Sequence, residues 1–219
     1  MNDPRPASTL ILLRDAAGGP EVLMLKRHGL SDVLGGAFVF PGGKVDEDDA
    51  RLDVAAHLDA TAEALHARLG EPGIGTATAA GLYVAALRET FEEAGVLLGH
   101  GLAPAACADA SARLRAGVSF NALLAEFGLR LAVNALLPWS RWITPERSLN
   151  KRFDTRFFVA RLPEESIACH DGHETVQSAW LRPRTALEIY WDGGMTLAPP
   201  QIMTLAALAR HGVSSFSVQ

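Results

Sequence analysis

At 219 residues, 48% hydrophobic and 21% charged, the chain holds enough apolar material for a full core, which excludes a disordered or fibrous protein. Its formal net charge of −5 opposes nonspecific attraction to nucleic acid or to an anionic membrane, so a phosphate-bearing ligand needs local basic residues or metal ions. Cys107 and Cys169 lie far apart in sequence and suggest neither a disulfide framework nor a zinc ligand pair; both read as small buried residues.

Asp3 and Pro4 precede any apolar run, unlike a signal peptide, and no window reaches 18 uncharged apolar residues, so a soluble cytoplasmic protein is expected. Residues 9–14 and 21–26 are β-prone runs joined by Asp15-Ala16-Ala17-Gly18-Gly19-Pro20, which predicts a hairpin. A further strand, Ala37-Phe38-Val39-Phe40, stops at Pro41-Gly42-Gly43. The glycine pair lets the backbone approach a ligand closely and frees a carbonyl.

Leu52, Ala55, Ala56, Ala62, Leu65 and Leu69 recur at helical spacing, predicting a helix over 49–69 that ends at Gly70. A second helix spans 78–94, with Thr76 or Thr78 as cap and Gly95 as its left-handed stop. Helix continues over 103–131 around Gly117, with Ser119 capping residues 120–127. Strands are expected at 136–142, 155–161 and 175–181, then helices at 184–190 and 200–210. No internal repeat or linker breaks the chain, so one domain over 1–219 is expected.

The second helix ends in Arg88-Glu89-Thr90-Phe91-Glu92-Glu93-Ala94-Gly95-Val96. Glu89, Glu92 and Glu93, at i, i+3 and i+4, project from one face, where like charges weaken a helix and raise the cost of ionising them all. A solvated acidic face is one reading. A hard divalent cation demanding oxygen ligands, Mg²⁺ or Mn²⁺, is the other.

Pro41-Gly42-Gly43 followed by this stretch resembles the signature of the Nudix hydrolases: G, five residues, E, seven residues, then R-E-U-x-E-E-x-G-U, with U bulky and apolar. The second half matches throughout. The first half is interrupted: Gly43 and Arg88 lie 45 positions apart where the signature places 14, which leaves 31 inserted residues. Asp49 stands six positions after Gly43, where the signature has Glu. Which acid pairs with Arg88 is open among Asp46, Glu47, Asp48 and Asp49. A split box, with Glu21 to Arg27, Trp142-Ile143-Thr144-Pro145 and Arg152 to Phe158, is similar to the branch that includes coenzyme A diphosphatases and their bacterial relatives.

The resemblance implies an α+β fold, an α/β/α sandwich with a mixed central sheet and a helical insertion over about 46–80 inside the box; the amphipathic spacing of that insertion fits either a pocket entrance or a homodimer contact. It implies Mg²⁺ or Mn²⁺ held by the Gly42 carbonyl and the carboxylates of Glu89, Glu92 and Glu93. Arg88, Glu92, Glu93 and Glu174 are the candidate catalytic residues, Glu174 as a late-loop general base or further ligand. Cys169, His170 and His173 beside it lack the ligand pairs of a zinc site. Lys26, Arg27, Arg152 and Arg156 are candidate contacts to substrate phosphates. On a strand, Asp154 and Arg156 share a face, and simple pairing is the alternative. Trp139, Trp142 and Trp180 read as core.

The implied reaction is hydrolysis of a diphosphate bond in a small nucleoside diphosphate derivative, with coenzyme A or acyl-coenzyme A favoured over ADP-ribose and NADH. The implied products are 3′,5′-adenosine bisphosphate and phosphopantetheine or its acyl form. A ligand-sensing module without turnover is the remaining alternative, opposed by the presence of Glu89, Glu92 and Glu93 together.

Overall fold

A computed structural model describes residues 3–29, 34–101, 104–146, 151–162 and 177–211. In chain order its strands are β1 (Arg5–Arg14), β2 (Glu21–Lys26), β3 (Phe38–Val39), β4 (Gly42–Lys44), β5 (Gly99–His100), β6 (Arg130–Leu131), β7 (Leu137–Ile143), β8 (Phe153–Arg161) and β9 (Gln177–Leu181). The α-helices are α1 (Glu47–Arg51), α2 (Val54–His57), α3 (Ala62–Leu69), α4 (Thr76–Ala94), α5 (Pro104–Arg115), α6 (Phe120–Glu126), α7 (Pro183–Trp191) and α8 (Pro199–His211).

The alternation of β1 and β2 sets the layers. Leu10, Leu12, Leu23 and Leu25 enter one core, whereas Ile11, Leu13, Val22 and Met24 enter another, so both faces of the sheet are apolar and must be covered. The first core is closed by α4 and the α1–α3 segment, the second by α7 and α8. The sheet is mixed, with β3, β2, β1, β8 and β7 side by side, β4 on β1 and β9 on β2. Among the strand pairings of the described residues, β1–β8 alone is parallel; β1 and β2 form the expected hairpin, with Leu13 opposite Val22. This is the expected α+β architecture of helices on both faces of a mixed sheet.

The α4 helix forms as the sequence predicts, with Gly75 rather than a threonine at its N-cap. Gly95, at φ 65°, closes it in the left-handed conformation and donates its N–H to Phe91 O. Gly81 lets α1 approach: a Cβ there would stand 3.1 Å from Ala50. Ser119 caps α6, accepting from Ala122 N at 3.2 Å.

The expected single helix over 49–69 is instead three short ones. Leu52 leaves the helical region at ψ 138°, after which the Asp53 carboxylate caps α2 by accepting from Ala56 N at 3.2 Å. Leu58 is extended and bridges Leu131, and Thr61 caps α3 through Ala64 N at 3.2 Å. Local caps and a tertiary bridge outcompete the helical periodicity. Cys107 is buried but disulfide-bonded, against the expectation of an unpaired residue; Cys169 lies outside the described residues.

Candidate active site

The end of α4 carries Arg88, buried at 8% side-chain exposure, and this guanidinium organises the acidic residues around it. Its Nε donates to Asp49 Oδ1 at 2.9 Å and its Nη2 to Asp49 Oδ2 at 3.0 Å, a bidentate pair. Nη2 also donates to the Lys44 carbonyl at 2.9 Å, and Nη1 to Glu89 Oε1 at 3.0 Å and Glu92 Oε2 at 3.1 Å. Asp46 approaches to 3.6 Å. Burial opposes the charge on Arg88, yet the hydrogen-bonded Asp49 with Glu89 and Glu92 outweighs it and holds the pKa above its ordinary value.

The acid that holds Arg88 is therefore Asp49, on α1. It is itself buried, and its Oδ2 accepts from Asp46 N at 2.8 Å. The signal was in the spacing, since Asp49 is the sixth residue after Gly43. The extra residues thus enter after Asp49, and α1 carries the acid back to Arg88 across 39 positions.

The glycine pair on β4 seats two of the glutamates. Gly42 N–H donates to Glu93 Oε2 at 2.9 Å. At Gly43 the space of a side chain is filled by Glu89, whose carboxylate oxygens lie 2.5 Å from where a Cβ would stand. A Cβ at Gly42 would stand 2.7 Å from Thr9 Cα, so neither position accepts a larger residue. Burial raises the pKa of Glu89 to about 7 against the pull of Arg88, with Glu92 adding to the rise.

Carboxylate and carbonyl oxygens fit a hard divalent cation in kind, and one guanidinium touching four carboxylates leaves negative charge for such an ion to meet. Among the described residues no three His, Cys, Asp or Glu side chains gather closely enough to cage a metal as they stand. Arg88 bridges Glu89 and Glu92, and Glu93 faces the Gly42 amide. Arg88 takes one oxygen of each of Glu89 and Glu92, and a cation held there would draw on the same carboxylates.

The candidate phosphate contacts divide. Lys26 and Arg27 stand half-buried at the end of β2, opposite Phe38 and Ala37 at the start of β3; Lys26 Nζ is 5.7 Å from the Phe38 ring, and Arg27 Nε is buried without a hydrogen-bond partner. Arg152 Nε donates to the Thr144 carbonyl at 3.1 Å. Arg156 is buried in ion pairs with Glu71 at 2.6 Å and Asp154 at 2.8 Å, which is the pairing its strand position allowed rather than an exposed contact. Arg141 joins the same node, 2.7 Å from Asp154 and 3.2 Å from Glu71. Sequence reading did not single out Glu71. Glu174 lies outside the described residues. Trp139 and Trp142 pack on the α7–α8 core and Trp180 on the α4 core, under the Arg14 guanidinium at 4.4 Å.

An arginine beside box glutamates on a helix that follows a Gly-Gly strand turn matches what family comparison finds. The family model of the NUDT19 Nudix domain matches residues 5–208. The chain belongs to the Nudix family. It is 31% identical over 230 residues to human "Acyl-coenzyme A diphosphatase NUDT19", covering 88% of this chain and 61% of that protein. The Xenopus laevis protein of the same name is 28% identical over 225 residues, covering 86% and 59%. The chain therefore spans about three-fifths of the length of these curated relatives. Among solved structures, a Nudix hydrolase from Alicyclobacillus acidocaldarius superposes with a TM-score of 0.74 at 31% identity, over 95% of this chain and 92% of that one.

Proposed function

We propose that this chain is a divalent-cation-dependent hydrolase that cleaves the diphosphate bond of a nucleoside diphosphate derivative, with coenzyme A or acyl-coenzyme A as substrate. The observation that carries the reading is the carboxylate cluster of Glu89, Glu92 and Glu93, which is built around Arg88 and seated on Gly42 and Gly43. Mg²⁺ or Mn²⁺ bound by these oxygens would neutralise diphosphate charge and lower the pKa of the attacking water.

The chain's own residues have separable tasks in this reading. Asp49 and Arg88 hold the end of α4 against β4, which keeps Glu89 and Glu93 at the glycine turn. Glu92, on the more exposed side of the helix, is available to accept a proton, with Glu174 as the second candidate base. Arg27, whose Nε is orphaned, and Lys26 beside it are the cations that would meet a substrate phosphate. The preference for coenzyme A rests on relatives named acyl-coenzyme A diphosphatase.

A panel of coenzyme A, acetyl-coenzyme A, ADP-ribose and NADH, assayed with Mg²⁺ and with Mn²⁺ and resolved by chromatography, tests both levels. Release of 3′,5′-adenosine bisphosphate from the coenzyme A substrates, faster than turnover of the others, is the expected result. Faster cleavage of ADP-ribose or NADH would move the assignment to that class. Hydrolysis persisting in chelator or in Glu93→Gln would overturn the metal role.

A further inference from the structure

Ser8 is fully buried on β1, and its hydroxyl has no hydrogen-bond partner. A buried orphan hydroxyl costs stability, so its retention in a well-packed sheet calls for a physical reason. Its position supplies one. Ser8 pairs with Gly43 of β4 on one side and Arg156 of β8 on the other, and residues directly opposite on adjacent strands present their side chains to the same face. At Gly43 that face is filled by the Glu89 carboxylate. Of the other buried orphan atoms, those of Arg27, Tyr83, Ser111, Ser140 and Gln201, none belongs to a residue paired with Gly43.

We propose that Ser8 is a positioning residue for the carboxylate site, its hydroxyl being the donor that Glu89 takes up when the carboxylate exchanges its Arg88 contact for a divalent cation. The inference rests on the cation reading above. As the structure stands, Glu89 Oε1 is engaged by Arg88 Nη1 at 3.0 Å and Ser8 is idle. A carboxylate meeting a cation with one oxygen needs a donor to fix its orientation, and an oriented ligand binds more tightly than a free one. Serine suits the place: it is small enough for the row beside Gly43 and carries a single rotatable donor.

The consequence is a divergence between stability and binding. Removing an idle buried hydroxyl leaves the metal-free fold as stable as before, or more so, whereas cation affinity falls. The test is Mn²⁺ titration of the metal-free full chain, followed by electron paramagnetic resonance, with thermal melting of the same samples, for wild type, Ser8→Ala, Ser8→Cys and Glu89→Gln. Expected is a five- to tenfold rise in the Mn²⁺ Kd of both Ser8 variants, the effect of about one net hydrogen bond, at melting temperatures equal to or above wild type without metal. Wild-type Mn²⁺ affinity in Ser8→Ala, with Glu89→Gln weakened, overturns the role of Ser8 alone. A lowered melting temperature in both Ser8 variants also overturns it, by showing a structural hydroxyl. Equal affinity in wild type and Glu89→Gln removes the cation reading and this inference with it.

Discussion

Arg88 is a buried cation whose bidentate partner is one aspartate, and that arrangement sets what substitution there does. Replacing Asp49 by Asn keeps the volume but removes the charge facing the guanidinium, and breaking a buried pair from one side costs about 3–5 kcal/mol. Asp49→Asn is therefore expected to lower stability by that order in urea denaturation, and to lower kcat because the glutamates share the same helix end. Wild-type stability in this variant would show that Glu89 and Glu92 suffice to hold Arg88. Glu89 gives the opposite kind of signature. Its pKa is raised from 4.5 to about 7, so the folded state binds more protons than the unfolded chain between those values, and stability falls as pH rises through that window. The metal-free protein should lose about 3 kcal/mol from this group between roughly pH 4.5 and 7, and Glu89→Gln should flatten that part of the curve. An unchanged slope in Glu89→Gln would assign the titration elsewhere.

At the scale of elements, the α1–α3 segment is pinned at both ends by buried arginines: Asp49 to Arg88 at its start and Glu71 to Arg156 at its end. Glu71 has its pKa lowered by the hydrogen bond from Arg156, so its contribution is present above the ordinary carboxylate range and is lost as acid protonates it, opposite in sign to Glu89. Glu71→Gln is expected to cost about 1–3 kcal/mol and to speed limited proteolysis within residues 52–61, where α1, α2 and α3 join. Cleavage rates matching wild type would show that packing on α4 alone seats the segment. The sequence made α4 legible because its apolar repeat, its glycine stop and its box residues all agree. The segment before it was misread as one helix because Asp53 and Thr61 act as caps and Leu58 answers to Leu131, a partner 73 positions away. The Glu71–Arg156 pair, separated by 85 positions, left no local trace at all.

At the scale of the molecule, the two cores meet across one sheet, and the alternation of Leu10 to Leu13 and Val22 to Leu25 made that sandwich legible before its strand order was. No helix among the described residues is long and apolar enough to cross a membrane. If the carboxylate site takes a cation, its binding to the folded state alone must stabilise the whole: Mn²⁺ at a hundred times its Kd is expected to add about 2.7 kcal/mol and to raise the melting temperature in a dose-dependent way. Absence of any shift across millimolar Mn²⁺ would contradict the site.

The central pairing of the sheet joins Arg5 to Phe153 and Leu13 to Arg161, so the strand made first waits for one made 148 residues later. At about 5–20 residues per second of synthesis, the β1–β2 hairpin stands for several seconds with an open, apolar edge before β8 exists to fill it. The β4 strand, which brings the glycine turn back onto β1 at Ala7 to Thr9, fills the opposite edge early and leaves the β8 edge open. The turn that seats the glutamates thus also completes one edge of β1 long before β8 completes the other, and a residue too large for Gly42 would be felt during synthesis before it was felt in catalysis.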